Sequence, residues 1–128
     1  MMKQYFLPPV LHPKIPPLSL ACRTGDLLFV SGTPGYDADM RLNPSFTVQF
    51  ETAIENLRVA IEQGGGSLEG ILKINLFLTR PSDIVEMNRI YARAFGPAPY
   101  PARTTVIVAG LPDPEMLVEL DCVVELGR

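Results

Sequence analysis

The chain has one histidine, His12, and it lies in a proline-rich arm. With a single imidazole, neither a histidine-based zinc site nor a Ser-His-Asp triad can be assembled within one copy, so those enzyme classes fall away. Cysteine is almost as scarce. Cys22 and Cys122 lie in strand-like runs with no C-x-x-C spacing and no histidine cluster nearby, which reads as two reduced thiols and no metal site. Long apolar runs are missing too. The start, Met1-Met2-Lys3-Gln4-Tyr5-Phe6-Leu7-Pro8-Pro9, has no hydrophobic stretch long enough for a signal peptide or a membrane span, so a cytoplasmic protein is expected. The net charge of -3 comes without clusters of Lys and Arg, so no nucleic-acid surface is expected.

What is present suits a globular protein. The 128 residues are 47% hydrophobic and 20% charged. That length supports one core burying roughly two-thirds of the unfolded surface, hence a single domain over residues 1–128. The 13 prolines crowd into residues 8 to 17 and 97 to 114, marking irregular but ordered segments.

Hydrophobic periodicity predicts the elements. Leu18, Leu20 and Cys22 alternate onto one side, Arg23-Thr24-Gly25-Asp26 supplies a turn, and Leu27 to Gly32 returns as the second strand of a hairpin. Phe46, Phe50, Ala53, Ile54, Leu57 and Ile61 recur at helical spacing between Asn43-Pro44-Ser45 and Gly64-Gly65-Gly66. A strand follows from Ile71 to Thr79, with Leu72, Ile74, Leu76 and Leu78 on its apolar face. Pro81-Ser82-Asp83 caps a second helix with the stripe Ile84, Met87, Tyr91, Ala94 and Phe95, ended by Gly96-Pro97. The last strands run from Thr104 to Ala109 and from Leu117 to Leu126, the latter turning Val118, Leu120, Cys122 and Val124 one way and Glu119, Asp121 and Glu125 the other. The order β-β-α-β-α-β-β is an α+β architecture, a sheet with both helices on one face. Its uncovered face would carry Phe77, Ile107 and Val123, more apolar surface than solvent needs, so association through that face is expected.

The chemistry concentrates near the C-terminus. Arg103 follows the rigid step Pro101-Ala102 and precedes the run Thr104-Thr105-Val106-Ile107-Val108; a planar fork there suits bidentate capture of a carboxylate. From the residues alone, a structural salt bridge between Arg103 and Glu119 or Asp121 is the favoured reading. Glu119 is compatible with the solvated side of a strand, and Asn88 and Ser31 with local hydrogen bonding.

Several segments, taken in order, resemble the Rid family, also called YjgF and often labelled endoribonuclease L-PSP. They are Gly25-Asp26-Leu27-Leu28-Phe29-Val30-Ser31-Gly32, Glu55-Asn56-Leu57, Lys73-Ile74-Asn75-Leu76-Phe77-Leu78-Thr79, Met87-Asn88, Pro101-Ala102-Arg103-Thr104-Thr105-Val106, Leu111-Pro112 and Val118-Glu119-Leu120-Asp121. The resemblance covers nearly the whole chain. It implies a chorismate-mutase-like α+β fold, a barrel-like homotrimer with clefts between subunits, and no metal or organic cofactor. It further implies hydrolysis of 2-imino or 2-enamino acids to 2-oxo acids and ammonia, with Arg103 holding the substrate carboxylate, Glu119 orienting a water, and Ser31, Gly32 and Asn88 lining the cleft. Two positions depart from the pattern. Leu18 stands where deaminating members commonly carry a tyrosine, and Thr33 where a glutamine is frequent; the loop from Gly110 to Met116 also looks longer. A substrate-lining Leu18 shifts the expected preference toward bulkier, more apolar acids. The rival reading is a non-catalytic binder of small carboxylates or a regulatory protein that keeps Arg103. A ribonuclease ranks last, for want of a basic groove and a histidine pair.

Overall fold

The computed structural model describes residues 2–9 and 11–127. Six strands, β1 (Lys3–Phe6), β2 (Ala21–Thr24), β3 (Leu27–Pro34), β4 (Ile71–Leu78), β5 (Ala102–Ile107) and β6 (Val118–Glu125), join two helices, α1 (Phe46–Gln63) and α2 (Ile84–Phe95). The strands form one sheet in the order β1-β2-β3-β6-β4-β5. Every pairing is antiparallel except β4 with β5. Parallel neighbours need a crossover, and α2, lying between them in sequence, supplies it. Strand β5 is left at the sheet edge.

Helix α1 begins and ends where its signals lie. The Ser45 hydroxyl accepts from the Val48 amide at 3.4 Å, and Gly64 closes the last turn. Its buried face, Phe50, Ala53, Leu57 and Ile61 among others, packs on Leu28, Val30, Leu120 and Val124 of the sheet, with Met87 and Ile90 of α2 in the same core. Gln49 is also fully buried. Its amide donates to the carbonyls of Asn43 and Glu115 and accepts from the Leu117 amide at 2.6 Å, which ties the 110–117 loop to α1. The hairpin β2–β3 turns at Gly25-Asp26, and Gly25 adopts φ 57, a region open to glycine at little cost.

Four details differ from the sequence reading. Strand β1 adds a sixth strand ahead of the expected order; only Phe6 in it is even half-buried, so no apolar alternation announces it. In the first hairpin strand, pairing starts at Ala21, which points into the core and turns Cys22 to the open face beside Phe29. A register shift between Ile71 and Lys73 turns Ile71 inward and leaves Leu72 46% exposed. Ile107 pairs with core-facing Leu78 and so lies on the helix side of β5, whereas Val106, beside Phe77, takes the open face. A smaller difference is at Asp83, whose carboxylate is held by Arg80 at 2.7 Å and makes no side-chain cap to α2.

The open face nevertheless carries apolar groups. Tyr5, Cys22, Phe29 and Val123 are successive cross-strand neighbours, with Phe29 45% exposed.

Candidate functional site

The structure sorts the sequence-predicted site residues into two groups. The first surrounds Glu119. This residue of β6 lies opposite Pro34 of β3 and Phe77 of β4, on the open face, since its neighbours Val118 and Leu120 fill the core. Ser31 and Gly32 occupy an irregularity of β3 between Val30 and Thr33, where the ladder shifts register. That bulge is held from within. The Ser31 hydroxyl donates to the Ser19 carbonyl at 2.6 Å, and the buried Thr33 hydroxyl donates to the Ser31 carbonyl at 2.8 Å.

Gly32 lets the Glu119 carboxyl approach closely. A Cβ there would stand 2.8 Å from Glu119 Oε2 and 3.0 Å from its carboxyl carbon, so the Glu119 carboxyl lies against bare backbone. Burial, and next the like charge of Asp121, push the Glu119 carboxyl above its ordinary value. Asp121 itself accepts from Asn75 Nδ2 at 2.7 Å.

Glu119 also lines a cavity of about 860 Å³ with Leu18, Leu20, Thr33, Tyr36 and Met116. Its walls are mostly apolar, and Leu18 is 38% exposed there. The Tyr36 phenol donates to Asp113 at 2.7 Å, and Asp113 Oδ1 accepts the Glu115 amide at 2.9 Å, so the 110–116 loop is ordered against the segment following β3. Burial and this bond hold the phenol well above its usual range.

The second group is Arg103 with Asn88. Alternation along β5 turns Arg103 and Thr105 to the helix side of the sheet edge, next to α2. Arg103 Nε donates to Thr105 Oγ1 at 2.8 Å, Nη2 donates to Asn88 Oδ1 at 2.6 Å, and the guanidinium carbon sits 4.6 Å from the centroid of the Tyr91 ring. Among the described residues no carboxylate lies within ion-pair distance of Arg103, so it pairs with neither Glu119 nor Asp121. The result is a half-buried cation held in a fixed plane without an anion.

The two groups do not meet within one chain, because Glu119 is on the open face and Arg103 on the helix side at the edge. Thr105 and Tyr91 were not singled out as site residues in the sequence. Thr105 shares a face with Arg103 two residues on, and Tyr91 belongs to the apolar stripe of α2 and packs against Phe95.

The chain is thus an α+β protein with both helices on one face of its sheet, an acid against a glycine on the open face and, at the edge, an arginine that has no carboxylate partner among the described residues. Comparison with known proteins gives its family. The family model described as Endoribonuclease L-PSP matches residues 12–126, and the chain belongs to that family, the Rid or YjgF proteins. It is 33% identical over 109 residues to Protein mmf2, mitochondrial, of Schizosaccharomyces pombe, covering 84% of this chain and 86% of that one. It is 31% identical over 112 residues to Reactive Intermediate Deaminase A, chloroplastic, of Arabidopsis thaliana, covering 86% of this chain and 59% of the plant protein. The crystal structure of RidA from an Antarctic Psychrobacter superposes with a TM-score of 0.82 at 34% identity, covering 87% of this chain and 89% of that one. No helix among the described residues is long and apolar enough to cross a membrane.

Proposed function

We propose that this protein is an imine deaminase that hydrolyses 2-imino or 2-enamino acids to 2-oxo acids and ammonia, working in the cytoplasm as a homotrimer. In that assembly Arg103 and Asn88 of one copy face Leu18, Ser31, Gly32 and Glu119 of another. The observation that carries the reading is the pre-oriented Arg103 fork with no carboxylate partner among the described residues, a ready receptor for a substrate carboxylate. That Arg103 and Glu119 lie on opposite faces supports a site shared between copies. The apolar open face, with Phe29 45% exposed, supports their association. The likeness to a plant protein named Reactive Intermediate Deaminase A supports the reaction. Light scattering at micromolar concentration is expected to give three times the 14.1 kDa chain mass; a monomer mass would remove the shared site.

The steps ask little of the protein beyond position and one proton carrier. A protonated imine is electrophilic at carbon. Water adds there and gives a proton to the Glu119 carboxylate, and the carbinolamine nitrogen takes that proton. As the C–N bond breaks and ammonia leaves, the carbinolamine hydroxyl gives its proton to the freed Glu119 carboxylate and becomes the carbonyl, the proton passing on to the departing ammonia as ammonium. A carboxyl whose proton affinity is raised by burial suits both directions of the transfer. The substrate side chain enters the apolar cavity beside Leu18.

Leu18 also favours one alternative, a carboxylate-binding protein without turnover, since it offers no hydroxyl to the substrate. Imines generated in situ by an amino-acid oxidase separate the two. Leu18→Tyr is expected to raise the rate on the smallest imino acids several-fold and to lower it on bulky ones. If neither the parent nor this variant exceeds the uncatalysed rate on any imine, the binding protein is the better account.

A further inference from the structure

We propose that Tyr91 and Thr105 are positioning residues that, together with Asn88, set the Arg103 guanidinium so that its Nη1–Nη2 end is the edge presented to a carboxylate. The proposal rests on the reading above only in taking a carboxylate as the ligand of Arg103.

A guanidinium offers two edges with paired, parallel N–H groups, one made by Nε and Nη2 and the other by Nη1 and Nη2. The first is broken as a free pair, because its Nε–H is taken. Thr105 Oγ1 accepts from Nε at 2.8 Å, and Asn88 Oδ1 takes one hydrogen of Nη2 at 2.6 Å. Nη1 and the second hydrogen of Nη2 have no partner among the described residues. The two acceptors come from different elements, β5 and α2, so together they define the plane of the fork and its rotation about Cδ–Nε.

Tyr91 supplies the third constraint. Its ring lies under the guanidinium at 4.6 Å and itself packs with the rings of Phe95, at 4.6 Å between centroids, and Tyr100, at 6.1 Å. The side chain is 3% exposed, so the ring cannot swing away without opening the core. Its hydroxyl is buried and has no hydrogen-bond partner among the described residues. Within the chain the ring face is therefore what Tyr91 contributes to Arg103, and the hydroxyl contributes nothing to the hold. A cation stacked on an aromatic face and pinned at two nitrogens has lost most of its rotamer freedom before ligand arrives, and this freedom would otherwise be lost on binding.

Conservative and disruptive substitutions test the assignment in pairs on the full-length chain. Thr105→Val removes the acceptor at constant shape and Thr105→Ser keeps it; Tyr91→Leu removes the ring and Tyr91→Phe keeps it. Pyruvate titrated by calorimetry is the probe, with KM and kcat on an in situ imine as the second readout. Thr105→Val and Tyr91→Leu are expected to weaken pyruvate binding and raise KM about 10-fold with kcat within about two-fold, while Thr105→Ser and Tyr91→Phe stay within about two-fold of the parent. A ligand-free readout accompanies these: the Arg103 Nε–H resonance should be protected from exchange in the parent and in Thr105→Ser and exposed in Thr105→Val. If Tyr91→Leu does not fold, the Thr105 pair and this resonance decide. Parent-like binding by Thr105→Val, with binding lost in Arg103→Ala, overturns the positioning role and spares the carboxylate site. Parent-like binding by Arg103→Ala, or no binding by the parent, overturns both.

Discussion

Arg103→Ala is expected to weaken 2-oxo acid binding by about 100-fold or more, because it removes both N–H groups of a charge-assisted pair, each worth roughly 1.5–3 kcal/mol. The fold should survive. Arg103 sits on an edge strand with its guanidinium half in solvent, and it has no ion pair among the described residues to break. Losing its contacts to Thr105, Asn88 and the Tyr91 ring falls within the usual range of about 0.5–1 kcal/mol for exposed pairs. Arg103→Lys is expected to fail nearly as badly, since an ammonium cannot satisfy Thr105, Asn88 and both oxygens of a carboxylate from one nitrogen. Calorimetric titration with pyruvate, alongside thermal unfolding, checks this. Unchanged affinity in Arg103→Ala would make the arginine structural, and the proposed function would lose its anchor.

How legible this arrangement was in the sequence depended on whether its cause was local. Helix α1 begins at Phe46 and ends at Gln63 as expected, because the start signal around Ser45, the stop at Gly64 and the apolar spacing all act within a few residues. The face of β4 was legible from Ile74 onward but not at its start. Ile71 and Leu72 are both apolar, and only the pairing with β6 decides which one the bulge turns outward. Strand β1 left no trace in the pattern because its residues stay near the surface, and its existence depends on the edge that β2 offers. Arg103 stood out through the rigid Pro101-Ala102 step and the β-branched run after it. Its partners are long-range, since Asn88 and Tyr91 reach it only because α2 packs beside β5. Likewise, the sheet order β6-β4-β5 and the phase of each strand place Arg103 and Glu119 on opposite faces, and no local spacing encodes that.

Glu119→Gln is expected to lower kcat by about 100- to 10,000-fold, the range of one general acid–base group, while leaving pyruvate binding at Arg103 in place. The same substitution should raise stability at neutral pH. The folded state holds the Glu119 proton more tightly than the unfolded chain does, through burial and then through Asp121. Above the folded-state pKa the carboxylate is charged in both states, and its burial opposes folding in full; the penalty fades as pH falls through that pKa toward the ordinary glutamate value of about 4.3. The Tm advantage of Glu119→Gln should therefore be largest at pH 7 to 8 and shrink in acid. Activity has the matching sign: the base must be ionised, so kcat/KM should fall on the acid side with a midpoint above that ordinary value. Asp121→Asn, which removes the second cause of the shift, should move the midpoint down. Unfolding scans and rate profiles over the same pH series measure both. Turnover by Glu119→Gln equal to the parent's would show that water is activated by some other group, and an acid midpoint unmoved in Asp121→Asn would show that the two carboxylates do not interact.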